Sequence, residues 1–287
     1  MLKTRVITAL VLLAMLVPAL AWLPVAGWAI FVLAFVVAAA WEWGRLCSMS
    51  DRVAMLYAAA IAVAGVAVLV WIETLQPYAS PVLYGISALC WAGIAILWFV
   101  RGPAAPRGVL LAGLGPLLLL PCWWAVVQAR AAGALFMFLL MALVWVADIS
   151  AYFAGRRFGR NKLAPAVSPG KTWEGVAGAM AGVAVLALAC NFFTTAAGGP
   201  NDSWFAWVFA GTGRAGIAGP AVAILIVWAV AGLSILGDLF ESLLKRHAGV
   251  KDSSALLPGH GGVLDRIDAL IPAMPLAMLI FWLFNRP

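Results

Sequence analysis

Charge is scarce in this chain. Of its 287 residues, 11 are acidic and 18 basic, so about one in ten is charged. A soluble domain carries ~25% charged residues. With 66% hydrophobic residues and a mean hydropathy of +1.06, a soluble globular class is excluded. Histidine is scarcer still: His247 and His260 are the only two, which leaves no histidine-built metal centre and no convincing Ser-His-Asp or Cys-His set. The four cysteines, Cys47, Cys90, Cys122 and Cys190, lie far apart, with no Cys-x-x-Cys spacing and no neighbouring histidine. Neither a zinc site nor a disulfide framework follows from them, and they read as buried, bland residues.

What the chain has instead is long apolar runs. A helix that spans a bilayer needs about 20 apolar residues. Nine candidates are present: Val6–Leu20, Pro24–Ala40, Val53–Ile72, Val82–Val100, Val109–Val127, Gly133–Phe153, Gly175–Phe193, Gly219–Gly237 and Ile267–Phe284. The first two are joined by a short turn near Trp22–Pro24 and are expected to form a helical hairpin. Prolines 116, 121, 272 and 275 interrupt the fifth and ninth runs, where kinks are expected. The N-terminus also mimics a secretory signal, with Lys3 and Arg5 before an apolar run and Ala19-Leu20-Ala21 as a cleavage-like site. A retained first helix is the expectation.

The net charge of +7 is explained by position. With the N-terminus in the cytoplasm and nine alternating spans, fifteen of the 18 basic residues fall on the cytoplasmic side, and only Arg130, Arg214 and Arg286 on the far side. That satisfies the positive-inside rule, and the inverted arrangement violates it. The charge reports topology and an attraction for anionic headgroups and phosphates, and nucleic-acid binding is not needed to account for it. The expected fold is an all-α polytopic integral membrane protein, N-terminus cytoplasmic and C-terminus on the far side. It is expected in the plasma (inner) membrane, with its polar site facing the cytoplasm.

The polar residues are unevenly spread. Eight of the 11 acids lie beyond Gly133: Asp148, Glu174, Asp202, Asp238, Glu241, Asp252, Asp265 and Asp268. An ionised group at membrane depth costs at least ~2.5 kcal/mol, so such residues usually face a water-filled cavity and serve function. Within one membrane domain, residues 1–132 therefore read as scaffold helices and 133–287 as the catalytic region. The long far-side segment 194–218 carries a Gly198-Gly199-Pro200-Asn201 turn and the aromatics Trp204, Phe205, Trp207 and Phe209, which suit an interfacial belt.

Three polar constellations stand out. At the end of the eighth run, Asp238, Glu241 or Ser242, and Lys245 form one stripe if the helix continues past Gly237. Next, Pro258-Gly259-His260-Gly261-Gly262 is followed by Asp265, Arg266 and Asp268. Glycines there permit a close backbone approach to a ligand, and successive N–H groups can form an anion nest. Asp265 and Asp268 offer the hard oxygens that Mg²⁺ takes, and the loop could fold back to bring Asp238 to Asp265. Third, Asp148 lies inside the sixth run, ahead of a basic, glycine-punctuated segment that holds Arg156, Arg157, Lys162, Ser168 and Lys171. Gly170-Lys171-Thr172 invites a P-loop reading. That fails, because the first glycine of that motif would have to stand where Pro165 is, with no strand expected before it.

Acids for a divalent ion, bases for phosphate and glycines for close approach fit phosphoryl or nucleotidyl transfer. The run from Ser242 to Asp268, with Gly237–Ser242 and Ser168-Pro169-Gly170-Lys171-Thr172-Trp173, resembles the phosphatidate cytidylyltransferases, or CDP-diacylglycerol synthases. The resemblance covers Asp148–Asp268 well and the nine-span layout loosely. It implies that CTP and phosphatidate, drawn from membrane lipid, give CDP-diacylglycerol and pyrophosphate with Mg²⁺. By that likeness Asp238 and Asp265 are the metal carboxylates and catalytic residues, flanking a second, monovalent cation such as K⁺. Ser168, Lys171, Lys245, Arg246 and Lys251 handle phosphates, with Lys245, Arg246 and Lys251 counted as catalytic and Ser168 and Lys171 as substrate-binding. His260, Asp268, Arg266, Gly261, Gly262 and Asp148 contribute substrate or nucleotide contacts. Two other readings stay open: the same transfer on an isoprenoid or archaeal-type lipid phosphate, and an ion or solute transporter using Asp148 and Asp238. Oligomeric state is also open, a homodimer included.

Overall fold

The computed structural model describes residues 2–75, 79–103, 108–196, 203–214 and 219–284. The Gly198–Asn201 turn, Asp202, Arg107 and Arg286 lie outside the described residues. In chain order the elements are α1 (Leu2–Trp22), α2 (Val25–Leu46), α3 (Asp51–Leu75), α4 (Ala79–Arg101), α5 (Gly108–Ala132), α6 (Ala134–Phe158), β1 (Lys162–Ala164), β2 (Ser168–Thr172), α7 (Trp173–Ala196), α8 (Trp204–Arg214), α9 (Gly219–His247), α10 (Leu264–Ile267) and α11 (Leu270–Phe284). Among the described residues eight helices are long and apolar enough to cross a membrane, the last formed by α10 and α11 together. The apolar stretch of α1, Val6–Trp22, is shorter. The chain is thus an all-helical polytopic membrane protein with one small hairpin.

Lipid tails are as apolar as leucine, so such helices are held by close packing and polar links rather than by burial from water. Both are present. Trp123 Nε1 donates to Ala29 O at 2.8 Å, tying α5 to α2, and Trp43 Nε1 donates to Leu111 O at 3.0 Å between the same two helices. On α4, Tyr84 donates to Gln128 Oε1 at 2.7 Å, and the Ser80 hydroxyl accepts from Gln128 Nε2 and Trp124 Nε1. Helices α6 and α7 approach most closely through small residues: a Cβ at Gly178 would overlap Ala154, and one at Gly182 would overlap Ser150. Large apolar side chains such as Phe99, Val109 and Phe192 face outward, as a lipid-immersed surface requires.

Three features depart from the expectations. The aromatic segment after residue 203 is the helix α8, and it is not an interfacial belt. Trp204 and Phe205 are fully buried, Trp204 Nε1 donates to Ala277 O at 2.9 Å, and Trp207 packs edge-on against Phe281. A short strand, β1, does precede the Gly170-Lys171-Thr172 triplet. It pairs antiparallel with β2 in the register Lys162↔Thr172 and Ala164↔Ser168. Finally, α2 outruns its apolar run, continuing past Ala40 to Leu46 and carrying Glu42.

Candidate functional site

The β1–β2 hairpin presents Lys171, and local chemistry fixes it there. Thr172 caps α7, its hydroxyl accepting from Gly175 N at 3.1 Å. Glu174, in the first turn of α7, accepts from the backbone N–H groups of Arg160 and Asn161 and from Asn161 Nδ2 at 2.8 Å. The link from α6 into β1 is thereby tied to the start of α7. So held, Lys171 Nζ lies 2.6 Å from Asp238 Oδ2.

Asp238 is where it is because α9 does continue past Gly237, unbroken to His247. A Cβ at Gly237 would collide with Pro272 and with the Asp268 carbonyl, so this glycine lets α9 lie against the start of α11. Two i,i+4 pairs follow on the helix: Ser242 donates to Asp238 Oδ1 at 3.3 Å, and Lys245 pairs with Glu241. Lys245 also donates to Asp265 Oδ1 at 2.6 Å, which joins α9 to α10. Arg246 Nε donates to Val167 O at 3.3 Å, joining the end of α9 to the hairpin turn.

Asp265 is surrounded by donors. Its Oδ2 accepts from Gly262 N at 2.7 Å, Ser253 N at 2.9 Å and Ser253 Oγ at 2.9 Å, in addition to the lysine on Oδ1. Four donors match the roughly four lone-pair sites of a carboxylate. The glycines of the turn serve this arrangement. Gly261 takes φ +83°, and a Cβ at Gly262 would overlap Ser253 Oγ and Glu42 Oε1. The close approach that the glycine pattern suggested is therefore an approach to the protein's own carboxylates. The turn is closed by Leu257 N to Gly261 O and His260 N to Leu257 O, both 2.8 Å.

Sequence reasoning passed over Glu42. It is fully buried; its two oxygens accept from Ser254 Oγ, Val263 N and Leu264 N, and its Oε2 lies 3.1 Å from Ser253 Oγ, whose one proton serves either Glu42 or Asp265. An acid close to the end of an apolar run was the available signal. Drawing the second span to stop at Ala40 put Glu42 in a connection.

Two cavities divide the expected residues. One, of about 430 Å³, is lined by Asp148, Ser168, Lys171 and Asp238, together with Tyr152, Arg156 and the apolar Ala151, Val176 and Ile235. The other, of about 700 Å³, is lined by Lys251, His260, Gly261 and Arg266, together with Asp252, Ser254 and Thr4 of α1. Lys245, Arg246, Gly262, Asp265 and Asp268 line neither. Asp238 acts electrostatically on both Asp148 and Asp268; Lys171 offsets it at Asp148, and Lys245 and Lys171 together offset it at Asp268. Asp238 and Asp265 each have a separate lysine partner. Among the described residues no three His, Cys, Asp or Glu side chains converge into a ready-made metal cage. Outside the spans, burial pushes the Cys47 thiol up to about 11, which keeps it protonated and unreactive at neutral pH.

Eight long apolar helices, with acid–lysine pairs beside one largely apolar and one polar cavity, define a polytopic membrane protein. Residues 3–284 match the cytidylyltransferase family, and the chain belongs to that family. It is similar to the phosphatidate cytidylyltransferase of Pseudomonas aeruginosa, 40% identical over 291 residues that cover 98% of this chain and 97% of the relative. The Haemophilus influenzae enzyme of that name is 34% identical, covering 96% of each chain. That of Brucella abortus is 36% identical, covering 100% of this chain and 95% of its own.

Proposed function

We propose that this protein is a phosphatidate cytidylyltransferase, converting CTP and phosphatidate into CDP-diacylglycerol and pyrophosphate. The observation that carries the reading is the Lys171–Asp238 pair at the 430 Å³ cavity, where phosphate-binding cations and carboxylates meet apolar helix faces. A lipid phosphate needs that combination: an ammonium for the headgroup and hydrocarbon for the chains. The larger cavity, with Lys251, Arg266 and a glycine turn, suits a nucleoside triphosphate.

In the reaction a phosphatidate oxygen attacks the α-phosphorus of CTP. A new P–O bond forms, the bond from the α-phosphorus to its bridging oxygen breaks, and pyrophosphate leaves. No side-chain nucleophile is needed. The chain's task is to bring two anions together and hold them in line. Lys171 and Arg156 orient the lipid phosphate, and Lys251 and Arg266 hold the triphosphate. Lys245, locked between Glu241 and Asp265, keeps the glycine turn in register with α9. The acid cluster suits a divalent ion: Asp238 interacts with Asp148 and Asp268, and the opposing lysines are Lys171 and, at Asp268, Lys245, which is already paired with Glu241 and Asp265. Asp238 and Asp265 are the carboxylates proposed to hold Mg²⁺, which would neutralise charge on the phosphates. The site is proposed to face the cytoplasm from the inner membrane, on the strength of the basic-residue bias.

A substrate panel tests this reading. Purified protein in bilayers is given CTP and Mg²⁺ with an ester-linked phosphatidate, with an ether-linked isoprenoid lipid phosphate, or with no lipid. The expected result is a nucleotide-bearing lipid from phosphatidate. Preference for the ether-linked substrate would move the protein to the sister reaction. Solute flux without CTP, and no lipid product, would favour a transporter.

A further inference from the structure

We infer that Glu42, on α2, is a positioning residue for the reaction site, acting through Ser253 and the Val263 and Leu264 amides to set the placement of Asp265. Burial of a carboxyl group in a membrane helix is costly unless it is paired or fully hydrogen-bonded. Among the described residues Glu42 has no Lys, Arg or His ion partner. All its side-chain hydrogen bonds come instead from one segment more than 200 residues away. Oε1 accepts from Ser254 Oγ at 2.5 Å and Val263 N at 3.0 Å; Oε2 accepts from Leu264 N at 2.6 Å and lies 3.1 Å from Ser253 Oγ.

The same segment is held from its other side by Asp265. Ser253 is common to both: its N–H goes to Asp265, and its hydroxyl lies within reach of either carboxylate. The two amides that Glu42 takes immediately precede Asp265 in the chain. Gly262 is squeezed between Glu42 and Ser253, so the fit leaves no room for a side chain. One of the two amides, Leu264 N, opens α10, so Glu42 ties α2 to the start of the last span. With Ser254 and Val263 it also holds both ends of the segment that forms the larger cavity.

The kinetic consequence rests on the proposal that the larger cavity takes CTP. Glu42→Gln keeps size and shape but puts an NH₂ where an acceptor is needed, so the donors on one oxygen lose their partner. Loss of a hydrogen bond to a charged group corresponds to about 10–100-fold in affinity or activity. The full-length variant in bilayers is expected to raise the KM for CTP by about tenfold or more. The KM for phosphatidate is expected to stay within about twofold, a value that the separate lining of the other cavity leads to. Hydrogen exchange is expected to rise in residues 253–264 and to stay at wild-type values in the spanning helices. Combined with Ser253→Ala, the losses should multiply to less than the product of the two single effects, because the two side chains act through one contact.

Wild-type KM for CTP with unchanged exchange at 253–264 would overturn the role. So would increased exchange across all helices with both KM values raised together, which marks ordinary fold damage. Raised exchange confined to 253–264 with a shift in the lipid KM alone would uphold the positioning role and reject the cavity assignment. Absence of nucleotidyl transfer in the wild-type control would reject the enzyme reading, leaving the exchange data to decide the role of Glu42.

Discussion

An aspartate that accepts from a lysine, two backbone amides and a hydroxyl is a fixed point, and Asp265 is such a residue. Asp265→Asn replaces one acceptor oxygen by a donor that faces Lys245 or the Gly262 amide. Turnover at saturating Mg²⁺ is expected to fall at least ~100-fold while the folded protein stays in the membrane. Wild-type turnover would remove Asp265 from the site. Gly262→Ala tests the same point by size, since a methyl group overlaps Ser253 and Glu42. It should cost activity comparably and lower thermal stability by ~1–3 kcal/mol. Lys171→Met is expected to raise the KM for phosphatidate at least ~10-fold, with a smaller effect on that for CTP. Lys171, Asp238 and Lys251 stand out in the sequence because charge is scarce in this chain and gathers beside the ends of apolar runs. Glu42 does not. Its partners lie over 200 residues away, and nothing in the local Trp-Glu-Trp context announces them.

At the scale of elements, most helices follow from apolar runs of the right length. The polar stripe on α9 follows from assuming that the helix continues beyond Gly237, as it does. The hairpin was hidden for physical reasons. Strands of 3 and 5 residues are too short to show a period of two, and Pro169 and Gly170 count against a strand. Its purpose is to present Lys171 ahead of a capped helix. Thr172→Val removes the cap of α7, with an expected loss of ~1 kcal/mol in stability. Because the cap adjoins Lys171, the KM for phosphatidate should rise more than that for CTP. A thermal shift in detergent and the two KM values measure this. Helix α8 was misread because aromatic residues beside a glycine-rich stretch suit either an interface or a core wedge. Only the partners Ala277 and Phe281 decide it.

For the whole molecule, the sequence made the membrane class plain, and the basic-residue bias carries the proposed orientation. In a cysteine-free background, Arg157→Cys should react with a membrane-impermeant thiol reagent in inside-out vesicles and resist it in right-side-out ones. The opposite pattern would place the site on the far face. The division into a scaffold half and a catalytic half rested on where the acids cluster. Contact between Glu42 and residues 253–264 was invisible to it, since composition records charge but not which distant segments meet.

The central claim is that this site breaks the bond beyond the α-phosphorus of CTP and passes the cytidylyl group to a lipid phosphate. Parallel reactions with CTP radiolabelled at the α- or the γ-phosphorus test it directly, with phosphatidate, Mg²⁺ and bilayer-embedded protein. α-Label should enter the lipid in proportion to γ-label released as pyrophosphate, and both should fall at least ~100-fold in Asp265→Asn. Label from the γ-position in the lipid, or CTP left intact in the presence of phosphatidate, would contradict it.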